Sequence, residues 1–361
     1  MKIVYIITGL SIGGAETITV NLAEQICQFG NSVIIMYLTG EQKIKVSNEI
    51  EVIPLNMKKS LLGFILALKK ARRFLKKYKP DVVHANMFHS IIFSRILRIF
   101  VKIPRLICTE HSNNYHGIVR KTIEHCTDFL SDVNTNVSII ATENFIKNKI
   151  FSAKKTKTVY NGINLKRFAL NKNLVIRNEY GIKDNDFVFI NVSRLNPAKD
   201  HRCLINAFSI VHKQIENTKL LCVGSGELEN ELKDYAKKCC LEDSVLFIGS
   251  KVNVEDYYNA SDCFVLSSEY EGFGLAVAEA MACELPVIST DCGGTSEIIQ
   301  DNKWLVPIKD VEQLSSKMIY VINLPLTERA IIGKNNRDKV QCFSIETITE
   351  QWLMIYGTDF I

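Results

Sequence analysis

The sequence of 361 residues lacks the features that mark membrane-spanning and secreted chains. No stretch of about 18 apolar residues is free of charge, since the most apolar candidate, residues 90–103, contains Arg95, Arg98 and Lys102. We therefore expect no membrane-spanning helix. The apolar run at the N-terminus is too short for the hydrophobic region of a signal peptide. The eleven cysteines include no C-x-x-C pair, and such an odd, scattered set is typical of the reducing cytosol.

Signatures of metal sites and of several other ligands are also missing. The sequence contains no H-E-x-x-H pattern, no EF-hand loop, no convincing D-x-D pattern and no Walker lysine motif. Its basic first half is a feature of nucleic-acid-binding proteins, but neither a recognisable motif nor interleaved aromatic residues accompany the charges. We expect no bound metal, no resident cofactor and no nucleic-acid partner.

What is present is an apolar content of 47%, enough to bury two cores, in a chain long enough for two domains. The net charge of +5 conceals an asymmetry. Residues 1–170 hold 25 Lys and Arg against 11 Asp and Glu, whereas residues 171–361 hold 19 against 28. This difference predicts a domain boundary near residue 170 and an anionic partner for the basic first half.

Residues 57–79 contain nine Lys and Arg and no acid, with apolar residues between the charges. The pattern predicts a basic amphipathic helix, of the kind that can lie on an anionic membrane surface. An outer helix of an α/β layer with a lysine-rich solvated face explains the pattern equally well. Residues 90–105 form a second basic apolar segment, which favours the membrane interpretation.

The first 38 residues have the pattern of a strand, a glycine loop, a helix and a second strand, which is typical of a Rossmann-like sheet. Gly9, Gly13 and Gly14 lie in the loop. Their spacing is not G-x-G-x-x-G, and the second strand ends without an acidic residue for an adenosine ribose. Both departures weaken a dinucleotide interpretation.

Residues 266–299 carry the densest set of candidate site residues. An apolar strand, Cys263–Leu266, precedes a glycine turn, and helix formers follow the turn. The turn and its flanks comprise Glu271, Gly272, Phe273, Gly274, Leu275 and Glu279. A helix N-terminus attracts phosphate, glycines let the backbone approach it, and a carboxylate one turn further on can accept hydrogen bonds from a ribose diol. A single glutamate is more often an ordinary solvated residue, but the spacing, the glycines and the strand at 286–289 together favour a site.

Two other strand ends carry candidate ligands. The strand Phe187–Val192 leads into a loop with Arg194 and Lys199, which can converge on one pyrophosphate. His111 follows a strand at residues 105–109, at the edge where parallel sheets bind ligands. A lone histidine is more often structural, and Glu110 is an equally reachable polar group.

The E-x7-E stretch from Glu271 to Glu279 resembles that of retaining, nucleotide-sugar-dependent glycosyltransferases of the GT-B fold, in particular glycosyltransferase family 4. The S-R-L…K-D segment at 193–200 and the N-G-I-N…F segment at 161–168 resemble further motifs of this family. The resemblance extends over nearly the whole chain. It implies two Rossmann-like parallel-sheet domains facing a cleft. The first would be residues 1–168 with a C-terminal helix within 345–361, and the second, donor-binding domain would be residues 169–344.

The resemblance also implies roles for residues of the second domain. Arg194 and Lys199 would neutralise the leaving diphosphate, aided by the helix N-terminus near Phe273. Glu271 would orient the donor sugar, and Glu279 would hold the ribose.

Three more positions match the family. Gly13 and Gly14 would lie over the donor diphosphate and sugar, and His111 would contact the donor sugar. The backbone at Val252 would hold the nucleobase.

The resemblance further implies metal-independent transfer with retention of anomeric configuration and no cofactor beyond the nucleotide sugar. Uridine is the expected base from its frequency in the family, with guanosine next. The basic first half points to a glycan acceptor, in particular one linked to a polyprenyl pyrophosphate, as in bacterial surface-polysaccharide synthesis. We expect a cytoplasmic protein at the inner face of the cell membrane, bound peripherally to anionic lipids.

Three other functions remain open. A GT-B-fold nucleotide-sugar 2-epimerase would share the nucleotide site but convert UDP-GlcNAc without an acceptor. An NAD-dependent dehydrogenase is disfavoured by the glycine spacing and the missing ribose acid. A non-catalytic scaffold that docks on membranes is disfavoured because the cationic pair and both glutamates are intact.

Overall fold

The computed structural model describes residues 1–357 except residue 12 and the ranges 114–116 and 172–174. The chain divides into two compact units. The first comprises Met1–Gly162 and Phe343–Ile361, and the second comprises Ile163–Cys342. Each unit is built around one parallel sheet. The predicted fold class, two Rossmann-like parallel-sheet domains, is confirmed.

The first unit has a sheet in the order β3-β2-β1-β4-β5-β6-β7. Its strands are β1 (Lys2–Ile7), β2 (Ser32–Tyr37), β3 (Glu51–Pro54), β4 (Val82–Asn86), β5 (Arg105–Glu110), β6 (Val133–Asn136) and β7 (Thr156–Thr158). The helices between them are α1 (Gly14–Gln28), α2 (Leu61–Tyr78), α3 (Phe88–Phe100), α4 (Ile118–Thr127) and α5 (Ile139–Lys147). The order reverses between β1 and β4, because the chain returns from the edge strand β3 to the middle of the sheet to form β4.

The central strand β1 is buried on both faces, which is why its sequence is a continuous apolar run. Ile3 and Ile7 join the core that includes α1, whereas Val4 and Ile6 join the core that includes α2 and α3. Side chains alternate along a strand, so one apolar run supplies both cores. A fully buried aliphatic side chain contributes roughly 1.5–3 kcal/mol, and β1 therefore anchors both helix layers.

Helix α2 occupies Leu61–Tyr78, within the predicted basic segment 57–79. It begins at Leu61 because Ser60 is its N-cap: the Ser60 hydroxyl accepts a hydrogen bond from the Gly63 amide at 3.1 Å. Lys79, in the left-handed conformation with φ 53°, ends it. Within the described ranges, no helix is both long enough and apolar enough to cross a bilayer.

The second unit has a sheet in the order β10-β9-β8-β11-β12-β13. Its strands are β8 (Phe187–Val192), β9 (Thr218–Val223), β10 (Val245–Gly249), β11 (Cys263–Leu266), β12 (Val287–Thr290) and β13 (Leu305–Val306). Its helices are α6 (Val175–Glu179), α7 (His201–Gln214), α8 (Glu229–Lys238), α9 (Val254–Asn259), α10 (Leu275–Ala282), α11 (Thr295–Ile299), α12 (Val311–Asn323) and α13 (Leu326–Val340). Here the strand order reverses between β8 and β11.

The last helix, α14 (Ile345–Gly357), belongs to the first unit and packs on α1. The Tyr356 hydroxyl lies 2.7 Å from the Tyr5 hydroxyl and 2.7 Å from Nδ1 of His84, and all three side chains are buried. Nε2 of His84 is 2.6 Å from the Thr109 hydroxyl. Burial lowers the pKa of His84 to about 3, with the neighbouring His111 a smaller cause. The C-terminal helix is therefore tied into the sheet by a polar network around a neutral imidazole.

Candidate functional site

The site of the second unit lies where the strand order reverses. Strands β8 and β11 are parallel neighbours, with Phe189 beside Cys263 and Ile190 beside Phe264. Because their carboxyl ends meet at one edge, the loops at 193–200 and 267–274 lie side by side. This is the position at which open α/β sheets bind ligands.

An ion pair joins these two loops. Nζ of Lys199 lies 2.5 Å from Oε1 of Glu271, and the Ser268 hydroxyl donates to the same oxygen at 2.8 Å. The Ser267 hydroxyl donates to the Lys199 carbonyl at 2.8 Å, so the two backbones are also linked. The Lys199 and Glu271 side chains are 20% and 15% exposed, which leaves both within reach of a ligand. Two residues that are 72 positions apart in sequence thus form one charged centre.

The glycine turn lies directly against a second glycine loop. Gly274 has φ 99°, a conformation that side chains rarely adopt, and a Cβ there would lie 2.9 Å from Cγ2 of Thr295. A Cβ on Gly294 would lie 2.5 Å from the Gly272 carbonyl oxygen. The turn residue Phe273 is buried. The glycines therefore fix the turn from Gly272 onward in place at the N-terminus of α10, where Leu275 is the first helical residue. The free amide groups at the N-terminus of α10 can bind an anion.

Glu279 lies on α10, and its carboxylate is held by an aromatic hydroxyl. Oη of Tyr258, which is fully buried on α9, donates to Oε2 of Glu279 at 3.0 Å. Burial raises the pKa of Glu279 to about 7, while the Tyr258 hydrogen bond and the charge of Arg167 act in the opposite direction. Glu279 as a whole residue is half-buried. It can therefore present an oxygen to a ligand hydroxyl from a position fixed by the protein.

Val252 follows β10 in an exposed loop, and its side chain is 84% exposed. Its carbonyl accepts a hydrogen bond from the guanidinium of Arg167. The same guanidinium pairs with Glu255 at 2.7 Å. The loop predicted to hold a nucleobase through its backbone is thus anchored to the segment with which the second unit begins.

Arg194 is exposed in the loop after β8, five residues before Lys199. The backbone of this loop is fixed by two glycines of the next βα connection. A Cβ on Gly224 would overlap the Ser193 carbonyl oxygen, and a Cβ on Gly226 would overlap that of Leu195. Only glycine at those two positions lets the loops pack so closely.

The first unit holds the other predicted residues. Gly13 is the N-cap of α1, and Gly14 is its first residue, with open space where a Cβ would be. Nε2 of His111 lies 2.9 Å from Oδ1 of Asn86, at the ends of the adjacent strands β5 and β4. Burial lowers the pKa of His111 to about 4. The imidazole is therefore neutral at physiological pH.

Glu110, the alternative to His111, faces the interior of the first unit. Its carboxyl group is buried, and its pKa is raised first by that burial and then by the adjacent carboxyl of Glu124. The guanidinium of Arg95, also fully buried, bonds to the Glu124 carbonyl at 3.0 Å. This pair of acids belongs to the interior, whereas His111 lies at the edge of the sheet.

Sequence reasoning overlooked two residues of the second-unit site. Arg167 lies within the N-G-I-N…F segment, where no pattern gives it a role, and Tyr258 belongs to none of the motifs. Only the fold brings both beside Glu279. Among the described residues, no group of three or more His, Cys, Asp or Glu side chains is arranged to hold a metal.

Both parts of the chain match models of known families. Residues 12–167 match the model of Glycosyltransferase Family 4, and residues 173–339 match that of Glycosyl transferases group 1. The N-acetyl-alpha-D-glucosaminyl L-malate synthase of Bacillus anthracis is 30% identical over 72% of this chain and 74% of that protein. The UDP-Gal:alpha-D-GlcNAc-diphosphoundecaprenol alpha-1,3-galactosyltransferase of Escherichia coli is 28% identical over 78% of this chain and 76% of that protein.

Solved structures show the same fold. Anabaena HepE in complex with UDP has a TM-score of 0.83 and 21% identity, with 98% of this chain and 99% of that chain covered. The sucrose-phosphate synthase of Thermosynechococcus elongatus has a TM-score of 0.87 and 23% identity, with 99% and 98% covered. The match of both units, the relative at 30% identity and the shared fold lead to one conclusion: the chain belongs to the family 4 glycosyltransferases of the GT-B fold and is a sugar-transferring enzyme.

Proposed function

We propose that the protein is a retaining glycosyltransferase that moves a sugar from a UDP-sugar to a glycan carried on a polyprenyl diphosphate, in surface-polysaccharide synthesis. The observation that carries this proposal is the Lys199–Glu271 pair beside the glycine turn and the N-terminus of α10. A cation and a helix N-terminus suit a diphosphate, and an adjacent carboxylate suits a sugar hydroxyl. The E. coli relative, whose name specifies a UDP-sugar and a diphosphoundecaprenol acceptor, supports the choice of substrates.

In this proposal the charged centre acts on the leaving group. When the donor's C1–O bond breaks, negative charge grows on the diphosphate, and Lys199, Arg194 and the amides at the start of α10 stabilise it. Glu271, held by Ser268, accepts a hydrogen bond from a sugar hydroxyl and fixes the ring. The positive charge needed at the leaving group is thus supplied by the protein, and we propose that no metal ion is required.

The proposed transfer retains the anomeric configuration. The acceptor oxygen bonds to C1 on the face from which the diphosphate departs, and the acceptor's proton passes to a diphosphate oxygen. Protein groups then orient the partners rather than take the proton. In the first unit, Asn86 holds the neutral imidazole of His111 in one orientation at the edge of the sheet.

The ribose and the base of the donor contact other residues of the second unit. The Glu279 carboxylate accepts hydrogen bonds from the ribose diol, and backbone groups at Val252 hold the uracil. Both positions are anchored to Arg167, the first directly through charge and the second through its carbonyl.

We further propose that α2 docks the protein on the inner face of the cell membrane. The first two turns of its outer face are aliphatic, with Leu61, Leu62, Ile65 and Leu66 all exposed, and Leu61 is 77% exposed. The following turns of this face are basic, with Lys69, Lys70, Arg72, Arg73, Lys76 and Lys77 exposed. Aliphatic residues can enter the acyl boundary while the cations meet anionic headgroups, worth about 1 kcal/mol per charge. This docking face would bring the enzyme to a lipid-linked acceptor.

The experiment that tests the proposed function incubates the purified protein with a panel of UDP- and GDP-sugars. Thermal denaturation reports donor binding, and slow release of free nucleoside diphosphate reports cleavage of the donor bond. A response to one UDP-sugar, lost in Lys199→Ala, is expected. Silence of the folded protein across the panel would contradict the proposal, and conversion of UDP-GlcNAc alone to its 2-epimer would replace it.

A further inference from the structure

The carboxylate of Glu279 is surrounded by groups that fix its direction and its charge. From α9, Tyr258 donates to Oε2 at 3.0 Å, and Glu255 contributes a nearby negative charge. From the segment before α6, Arg167 contributes a positive charge. Directly after α10, the Cys283 thiol is close enough for Glu279 to raise its pKa. Within the described part of the chain, Oε1 of Glu279 makes no hydrogen bond, so one oxygen is held and the other is available.

Arg167 is itself rigidly placed. The Asn164 side chain accepts a hydrogen bond from the Arg167 amide at 3.0 Å, which closes a local turn. Arg337, on α13, donates to the carbonyls of Leu165 at 3.1 Å and Phe168 at 3.0 Å. The segment that carries Arg167 is thus bound to the body of the second unit on both sides of this residue.

From this position Arg167 reaches both parts of the nucleotide site. Its guanidinium bonds to the Val252 carbonyl and to Oε2 of Glu255 at 2.7 Å. It also lies 5.0 Å from the centre of the Phe168 ring, which packs edge-on against Tyr258 at 6.2 Å. The Arg167 side chain therefore connects the Val252 loop, which is proposed to bind the base, with Phe168 and Tyr258, the second of which holds Glu279.

We propose that Tyr258 and Arg167 are positioning residues for the donor's ribose: Tyr258 holds Oε2 of Glu279, and Arg167 places a positive charge near this carboxylate and holds the Val252 loop, so that Oε1 faces the ribose diol. This inference rests on the proposed function, because it assumes that a nucleoside diphosphate occupies the site. It adds a physical basis for selecting ribose over deoxyribose. A buried acid without these partners would stay protonated and bind a diol more weakly.

The test compares the affinities of UDP and 2′-deoxy-UDP by calorimetry, and of GDP and 2′-deoxy-GDP in the same series. The ratio of the two affinities within a pair is independent of the diphosphate contacts and of phosphate titration, because both nucleotides share them. Wild type should prefer the ribonucleotide by about tenfold, the value of one hydrogen bond to a charged group. Tyr258→Phe and Arg167→Gln should each reduce this preference to about two- to threefold, on the same basis.

Two matched controls lie elsewhere in the second unit. Arg202 pairs with Glu231 at 2.7 Å, the same distance as Arg167 and Glu255, and the Tyr235 hydroxyl donates to Asn206 at 2.7 Å. Arg202→Gln and Tyr235→Phe remove a similar charge and hydroxyl away from Glu279. Both should keep the wild-type preference.

The pH profile separates positioning from mere folding. Because the pKa of Glu279 is about 7, the wild-type preference should be greater at pH 8 than at pH 6. Removing the Arg167 charge should move this rise to higher pH, and Arg167→Lys should restore it. Unchanged preferences and profiles in folded Tyr258→Phe and Arg167→Gln, with the preference lost in Glu279→Gln, would overturn the inference. Failure of wild type to bind either ribonucleotide would instead contradict the proposed function.

Discussion

Among single residues, Lys199 and Glu271 decide where charge is held before a ligand binds. Nζ of Lys199 lies 2.5 Å from Oε1 of Glu271, and both side chains are partly exposed to solvent. A pair that is mostly removed from water adds little net stability, because the cost of desolvating both charges offsets much of their attraction. The function of the pair is to bind a ligand that both side chains contact.

Replacing Lys199 by alanine should therefore reduce turnover far more than stability. Loss of one contact to a developing anion costs about 2–4 kcal/mol of barrier, or roughly 30- to 900-fold in kcat. Initial rates with the responding nucleotide sugar and thermal denaturation midpoints provide the measurement. Lys233→Ala is the control, because Lys233 pairs with Glu229 on α8 at 2.7 Å. Equal rates in the two variants would remove Lys199 from the mechanism.

The sequence indicated these site residues through spacing but did not reveal their partners. Two glutamates around a glycine turn, and an Arg and a Lys after a strand, are local patterns that can be recognised within a few residues. The pairing of Lys199 with Glu271 depends on β8 and β11 becoming neighbours, which the strand order decides. Tyr258 carried no signal, since a buried tyrosine on a short helix looks the same with or without a carboxylate beside it.

Among the helices and strands, the predicted strand bounds match the structure where a long apolar run ends at loop residues. Phe187–Val192 and Cys263–Leu266 are observed with the predicted bounds. Strands β3 and β13 were not predicted, because four half-exposed residues and two residues are too short to show a periodic pattern. Helix α2 starts at Leu61 rather than Met57, since the preference of Ser60 for the N-cap outweighs the continuity of the basic pattern.

The docking face of α2 supports a prediction about membranes. Replacing Lys69, Lys70, Arg72 and Arg73 by glutamine should weaken binding to vesicles that contain phosphatidylglycerol, by about 1 kcal/mol per charge. Serine in place of the exposed Leu61 and Leu62 should weaken it as well, including at high salt, where charge is screened. Co-sedimentation measures both effects.

The control for α2 is the removal of Lys237 and Lys238, which are exposed at the end of α8 in the second unit. That variant should sediment with vesicles like wild type. If the α2 variants do the same, the basic residues of α2 form only a solvated outer face, the alternative that the sequence left open.

At the scale of the whole molecule, the two units share a strand order but differ in charge and in buried polar groups. The first unit holds the His84 network, and the second holds His201, whose pKa is lowered to about 4 by burial and by Lys199. In each case the folded state contains a neutral imidazole, whereas the unfolded chain binds a proton near pH 6.5. Stability from these groups is therefore fully present above pH 6.5 and is lost as pH falls towards the folded-state pKa.

For His84 this loss should reach about 2 kcal/mol at pH 5 relative to pH 7. Urea denaturation at the two pH values measures it. His84→Gln should be less stable at pH 7 but should lose less on acidification, because glutamine does not titrate. An equal loss in both proteins would show that His84 is not buried as a neutral imidazole.

The proposal that protein charges alone neutralise the leaving group also predicts behaviour of the whole enzyme. Excess EDTA should leave the rate of sugar transfer within about twofold of the untreated enzyme, since the cations and helix N-terminus supply the stabilisation. Loss of activity that returns with added magnesium or manganese would mean that a metal ion takes part.

The most direct test of the central claim is a crystal structure of the protein soaked with UDP. We expect the diphosphate at Lys199 and the N-terminus of α10, the ribose hydroxyls on Glu279, and the base beside the Val252 backbone. A nucleotide bound in any other part of the second unit, or at the sheet edge of the first unit alone, would contradict the assignment of the donor site.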